Sequence, residues 1–353
     1  MHIPDGYLSP STCGVLYVGA ATGWYAALKR LKRALLTRVV PLISVFAAFS
    51  FVVMMFNLPL PGGTTGHALG VTIAAIVLGP SGAILAISIA VAIQALFFGD
   101  GGITTLGANC FNMAVVGSLV AYGSYRLIAA GAALTSRRRV VAAAIAGYLA
   151  INASALLAAV EFGIQPILFH DAGGTPLYAP YPLRVTIPAM MIGHLTLAGF
   201  AEAAISAGLV TYLQIADPGL LRATSGVAGY LSDTRAAAFS LRRLWIVIAF
   251  FMLLTPLGIL AAGTAWGEWS PTQLAHAASQ QSVAASPPAS VPAGLQRLSS
   301  FWTAPFPAYA PSFVRSRGFG YLLSAMFGVG ILLALSIAVL SLFGNHSRKE
   351  SSA

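Results

Sequence analysis

Along this chain the apolar residues gather in long runs, separated by short polar or basic breaks. A helix needs about 20 residues to cross roughly 30 Å of hydrocarbon. Nine runs approach that length, near 12–28, 39–57, 67–79, 81–98, 107–129, 140–162, 185–213, 244–264 and 319–343. The third is short, and Gly79-Pro80-Ser81-Gly82 is a strong turn signal between it and the fourth. The pattern predicts an all-α polytopic membrane protein, with a seven-helix core followed by two further transmembrane helices.

Composition agrees. With 58% hydrophobic and 8% charged residues, the 353-residue chain has too much apolar surface to hide in one soluble core. The net charge of +10 does not indicate nucleic acid, because the basic residues form short clusters between the apolar runs. Lys29, Arg30, Lys32 and Arg33 follow the first run, Arg137 to Arg139 the fifth, Arg222, Arg235, Arg242 and Arg243 the seventh, and Arg348 and Lys349 the ninth. Counting crossings puts all of them on one side, which the positive-inside rule makes the cytoplasm. The N-terminus is therefore expected outside and the C-terminus inside. Arg315 and Arg317 fall outside, at the end of a long loop where the rule is weak.

The organisation that follows is a core at residues 1–215, a cytoplasmic linker at 216–243, a two-helix appendage at 244–343 and a cytoplasmic tail at 344–353. Within the appendage, the stretch from about 267 to 318 contains HAASQQSVAASPPASVPAG, which has no apolar period and is expected to be a disordered tether. Cys13 and Cys110 lack zinc-type spacing and are too few for a disulfide framework; buried small apolar residues or a single bridge both fit.

Candidate chemistry starts at the first two residues. Met1-His2 places a free amine, an amide nitrogen and an imidazole side by side. With the His2 amide deprotonated, these donors close one five-membered and one six-membered chelate ring on a single ion, leaving one corner of a square plane open. Planar nitrogen ligation suits Ni(II) or Cu(II). MHIPDGYLSP has neither the basic start nor the apolar core of a signal peptide, so Met1 is expected to be the mature terminus. His67, in PLPGGTTGHALG, emerges on the same outer face and fits the open corner, and Gly62, Gly63 and Gly66 permit the loop to fold over the membrane centre. A solvated loop histidine is the plainer alternative.

Outer hydrogen-bond partners usually orient metal-binding imidazoles. Candidates are Asp5, Gln94, Thr104, Thr105, Asn109 and Asn112, for which a turn role (Asp5) or bonding between helices serves equally well. Ionisable residues inside a membrane mark functional sites by default, which singles out Glu161, His194 and Glu202. His194 and Glu202 are candidates for a polar path or a partner contact. His170 and Asp171, in an outer loop, fit a solvated turn. There is no GxxxxGK[ST] loop, HExxH pair or GxSxG elbow, so any ATP-driven step needs another chain.

Three stretches, MHIPDGYLSP, GGTTGHALG and TLGANCFNMAVVG, resemble the substrate-binding membrane subunits of energy-coupling-factor nickel and cobalt transporters over roughly residues 1–215. LLTPLGILAAGTAWGEW and the final helix resemble the small accessory subunit that some members carry fused. The resemblance implies a non-catalytic, inner-membrane subunit without a cofactor. It would capture Ni2+, alternatively Co2+, from outside through the Met1 amine, the His2 amide and imidazole, and His67. Its implied partners are a transmembrane scaffold subunit and cytoplasmic ATPases. The MHIPDG form is closer to nickel members.

Two other functions fit the scaffold: transport of an organic solute along Glu161, His194 and Glu202, or an intramembrane metalloenzyme. The metal reading predicts that His2→Ala or His67→Ala abolishes nickel binding by the inserted protein. Uptake that ignores metal, survives loss of His2 and fails in His194→Ala would instead assign the chain to an organic solute.

Overall fold

The computed structural model describes residues 1–31, 39–60, 64–224, 234–261, 263–280 and 291–350. Lys32, Arg33, Gly62, Gly63 and parts of the 216–243 linker, the outer stretch and the tail lie outside the described residues.

The described residues are mostly helical. In chain order come α1 (Pro10–Leu31), α2 (Val39–Met54), a hairpin of β1 (Leu58–Leu60) and β2 (Thr64–Gly66), and α3 (Val71–Ile93). Then follow α4 (Leu106–Asn109), α5 (Gly117–Ile128), α6 (Arg137–Leu168), α7 (Leu183–Gly193) and α8 (Gly199–Ala216). The appendage holds α9 (Thr234–Leu254), α10 (Pro271–Gln280), α11 (Ala293–Leu298) and α12 (Arg317–Glu350). Wide π-helical turns at Gln94–Phe98, Cys110–Val116 and His194–Ala198 continue α3, join α4 to α5 and join α7 to α8.

Among the described residues, six stretches are long and apolar enough to cross a membrane: Val71–Phe98, Leu106–Ile128, Arg137–Leu168, Leu183–Ala216, Arg242–Leu260 and Arg317–Ser341. α2 is apolar but shorter, and α1 is long enough but less apolar. The protein is thus a multi-pass membrane protein. The expected third and fourth spans are two limbs of α3, broken at Gly79, whose backbone lies at φ 71°, ψ 173°. Run straight, 28 residues would hold the ends of this stretch about 40 Å apart. Yet His67, before α3, and Asp100, after it, both touch His2. The limbs therefore fold back at Gly79, with Pro80 starting the second limb where its missing N–H costs nothing.

Packing centres on α6, which lies against α5, α7 and α8, and on α3, which lies against α1, α2 and α5. α2 in turn meets α9 and α12, so the appendage packs directly on the core. Arg139, from one of the basic clusters, is not solvated. It is buried, donating to the Ala132 carbonyl, Tyr125 Oη and Thr224 Oγ1, and it ties the α5–α6 turn to the turn after α8. Cys13 and Cys110 are free and buried.

In the outer stretch of the appendage, the expectation of disorder over about 267–318 is corrected for the described residues 267–280 and 291–318, while residues 281–290 lie outside the described residues. The described parts contain α10, α11 and a tight turn at Pro307–Tyr309, and Leu274, Leu295 and Tyr309 are buried. Leu295 packs against Gly6 of the terminal segment, and Tyr309 against Phe98, in the turn that continues α3, and Phe51 of α2. Such a segment needs no period of its own, because the surface it buries against belongs to another part of the chain. Gly294 donates its N–H to the Leu177 carbonyl, and Trp302 its indole N–H to the Leu96 carbonyl.

Gly79→Ala isolates the fold-back. No neighbouring atom obstructs a Cβ there, so the substitution introduces backbone strain alone. A loss of about 1–3 kcal/mol is expected, read as a lower unfolding midpoint in detergent. An unchanged midpoint would show that this break is not fixed by Gly79.

Candidate functional site

The N-terminal decapeptide is buried among loops. Ser9 caps α1, its hydroxyl accepting the Thr12 N–H at 3.1 Å, and Pro10 takes the first helical position. Upstream of the cap the chain turns at Asp5-Gly6 and makes one bond to itself, from Tyr7 N to the Pro4 carbonyl at 3.5 Å, so its other peptide groups require partners elsewhere. Ile3 finds them on the segment that opens α4. Its N–H donates to Asn109 Oδ1 at 2.8 Å, and its carbonyl accepts from Asn109 Nδ2 at 3.1 Å, Gly102 N at 2.9 Å and the Thr105 hydroxyl. Asp5 accepts the N–H groups of Ile103 (3.1 Å) and Thr104 (2.7 Å) and the Thr104 hydroxyl. A side chain at residue 102 would collide with the Asp5 backbone at 2.3 Å, so glycine is required for this approach. The Tyr7 carbonyl accepts from Ala179 N at 2.9 Å, and Ser9 N donates to Gln165 Oε1 at 3.0 Å.

This anchoring carries Met1 and His2 into the protein. Met1 is 4% exposed, His2 0% and His67 5%. His67 follows β2 directly, so the hairpin sets its position. Its Nε2 lies 3.3 Å from His2 Nδ1, and its Nδ1 lies 3.0 Å from the Ala68 carbonyl. Two neighbouring corners of a square plane with metal–nitrogen bonds of about 2.0 Å are about 2.8 Å apart. The imidazoles thus stand close to the spacing that shared ligation requires. Among the described residues no three His, Cys, Asp or Glu side chains form a metal-holding group.

Two carboxylates that sequence reasoning missed complete the cluster. Asp100 Oδ1 lies 3.0 Å from His2 Nδ1, and Glu268 Oε1 lies 3.2 Å from the Met1 amine. Burial works to raise the Asp100 carboxyl. The charge and hydrogen bond of His2, the charge of His67 and the hydrogen bond from Tyr309 outweigh it and hold the group well below the usual carboxylate range. Burial raises the Glu268 carboxyl, opposed by the Met1 ammonium and reinforced by Asp100. Burial first, then the charges of His2 and the terminal amine, push the His67 imidazole down to about 3. His67 is therefore neutral with a lone pair to offer. Asp100 sits in FFGDGG, where three glycines around one acid were the available signal, and Glu268 in AWGEW, where an acid stands between two tryptophans.

The remaining predicted residues separate. Thr104, Thr105, Asn109 and Asp5 bind the terminal segment rather than either imidazole. Gln94 donates to Tyr309 Oη at 3.0 Å, and Tyr309 donates to Asp100 Oδ2 at 2.7 Å. Asn112 lies away from the site and donates to Glu161 Oε2 at 2.8 Å. His194 Nδ1 is 2.8 Å from the Met190 carbonyl. Glu202 accepts the N–H groups of Leu69 (2.7 Å) and Gly70 (2.9 Å), so it grips the loop just after His67 from beneath. Glu161, His194 and Glu202 each engage a different partner. His170 and Asp171 occupy an exposed turn in which Asp171 accepts from Gly173 and Thr175.

Comparison with known proteins places this architecture. Residues 2–220 match the CbiM family model, described as the cobalt uptake substrate-specific transmembrane region, and residues 242–345 match the PDGLE domain. The chain is 53% identical over 341 residues to the fused nickel transport protein NikMN of Rhodobacter capsulatus, covering 95% of each chain. It is 40% identical over 338 residues to the probable fused nickel transport protein LarMN of Lactiplantibacillus plantarum, covering 95% of this chain and 96% of that one. A crystal structure of a transition metal transporter superposes with a TM-score of 0.57 at 51% identity, over 61% of this chain and 92% of that chain. With its core matched by the family model and its whole length by a fused relative, the chain belongs to the CbiM family of membrane transport proteins and carries a PDGLE domain in the same polypeptide.

Proposed function

We propose that this protein captures a divalent transition-metal ion, Ni2+, on the outer side of the inner membrane and serves as the substrate-binding subunit of an energy-coupling-factor importer. Four nitrogens take the ion: the Met1 amine, the deprotonated His2 amide, His2 Nδ1 and His67 Nε2. The observation that carries the assignment is the 3.3 Å approach of the His2 and His67 rings, buried beside a chain terminus. Planar nitrogen ligation favours Ni2+, and two relatives are named as nickel transport proteins. Co2+ is the second reading, favoured by the family's description.

The chain itself is non-catalytic in this proposal. It has no nucleotide-binding loop, so a scaffold subunit and separate ATPases drive release inward. Asp100 faces His2 Nδ1, the nitrogen that must be bare before ligating, and its carboxylate, held well below the usual range, stays ionised beside the incoming cation. The burial of Met1 and His2 implies that the ion enters when the outer segments open.

Inserting one alanine between Met1 and His2 changes the chelate rings without altering charge or any helix. Nickel binding by the purified chain is expected to collapse; equal affinity in the two chains would place the ligands elsewhere. Asn109→Ala removes both side-chain bonds to Ile3 and leaves the terminus poorly held. A nickel affinity about 10- to 100-fold lower is expected in titration calorimetry, and an unchanged value would separate the terminal segment from the site.

Acid should weaken binding. His67, neutral down to about 3, gives up no proton, so the pH dependence comes from the Met1-His2 chelate, whose amide must lose its proton to ligate. Each proton displaced costs about tenfold in affinity per pH unit as pH falls from about 8 to about 5. Constant affinity across that range would exclude amine and imidazole ligands. The ion-free fold follows the same sign, because an unfolded His67 protonates near its ordinary 6.5 and the folded one only near 3, so its stability contribution is lost as pH drops between them.

A further inference from the structure

The appendage reaches the cluster at two points, 267 and 209 residues along the chain from the atoms it touches. Glu268, on the turn after α9, pairs with the Met1 amine, and Tyr309, between α11 and α12, donates to the outer oxygen of Asp100. We infer that the fused appendage supplies two positioning residues to the metal site: Glu268, which orients the terminal amine, and Tyr309, which holds Asp100 against His2. The inference rests on the ligand set proposed above and goes beyond it, since neither residue is a ligand.

A terminal amine rotates freely, and a chelate closes on it only when its lone pair points into the plane. A buried acceptor on one face of the amine removes that freedom. Glu268 is held for this purpose by its surroundings. Trp266 and Trp269 pack edge to face at 5.5 Å, both meet Tyr181, and the Trp269 carbonyl accepts the Tyr7 hydroxyl at 2.7 Å. Gly267, at φ 83°, lets this turn lie on Phe162, where a Cβ would meet the ring at 3.0 Å.

The second point is held at the expense of backbone strain. Among the described residues, Ala308 and Tyr309 are the two non-glycine residues with positive φ, at 52° and 58°, a conformation maintained only where surrounding contacts enforce it. Those contacts are a stack of Tyr309 on Phe98 at 4.7 Å, the Gln94 amide on its hydroxyl, and the Ser324 hydroxyl on its carbonyl at 3.0 Å. The resulting chain of bonds runs Gln94–Tyr309–Asp100–His2 and sets the His2 ring in the ion-free site; the ion replaces Asp100 at Nδ1, and Tyr309 keeps the displaced carboxylate beside the ring. Leu295, fully buried against Gly6, clamps the terminal turn between the two points.

The test uses the full-length chain in detergent, nickel chloride as the probe, and both affinity and the visible absorption band of planar Ni(II) as readouts. Glu268→Ala and Tyr309→Phe are each expected to lower affinity about 10- to 100-fold, as loss of a group that orients a ligand does. Both are also expected to broaden or shift the band, and Glu268→Gln, which keeps an acceptor in place, should restore the band. Trp302→Phe removes an appendage-to-core hydrogen bond remote from the cluster and should change neither readout. Wild-type affinity and band in both Glu268→Ala and Tyr309→Phe, with only a lowered unfolding midpoint, would overturn the inference. So would an equal loss in Trp302→Phe, which would reduce both residues to general docking contacts. If His2→Ala abolishes binding in the same series, the ligand set stands whatever the appendage variants do; if it binds like wild type, the ligand set falls and this inference with it.

Discussion

Everything at this site depends on the capture of one peptide group. Ile3 offers a donor and an acceptor that α1 cannot use, and Asn109, Gly102 and Thr105 take both. An amide side chain matches a peptide edge to edge, so Asn109 fixes the direction of the strand as well as its place. Leaving such groups unpaired in a buried setting would cost on the order of 1–3 kcal/mol each. Once Ile3 is held, Met1 and His2 have nowhere to go but inward. The terminus, ordinarily the loosest part of a chain, becomes one of its most buried parts.

The second constraint is the membrane, where irregular backbone persists only if protein surrounds it. Gly101-Gly102 and the residues after His67, Ala68 to Gly70, are non-helical and buried. Glu202 illustrates the cost of holding them. A buried carboxylate is expensive, but two backbone N–H groups at the start of α3 offset it, helped by the favourable field at a helix N-terminus. The same contact fixes the base of the His67 loop. Asp100 and Glu268 raise the local negative charge further, which disfavours the empty cluster and suits an incoming divalent cation.

The chain reversal at Gly79 makes these contacts compatible. It brings both ends of α3 to the same level, so that the loop before it and the loop after it face one histidine. The appendage then closes over both. What sequence presents as a core followed by a separate tethered pair of helices is, in three dimensions, a single packed body around the terminus.

Much of this was legible in the residues. Long apolar runs dictate a helical membrane protein because no other element satisfies its own backbone in lipid. Met1-His2 declares a chelate because its donors are adjacent in the covalent chain, and Gly79-Pro80 declares a break because only glycine takes that backbone angle readily. These features are local, and local chemistry can be read in order. Asp100, Glu268 and Tyr309 were not legible, nor was the ordered outer stretch. A carboxylate in a glycine loop, or a tyrosine in a Pro-rich segment, gains its meaning from a partner far along the chain, 209 residues for Tyr309 and Asp100 and 267 for Glu268 and Met1. The sequence by itself determined the class of fold and the donors at the chain's start. The tertiary structure alone decided which loops meet those donors, because that depends on where α3 turns back and on what the appendage buries.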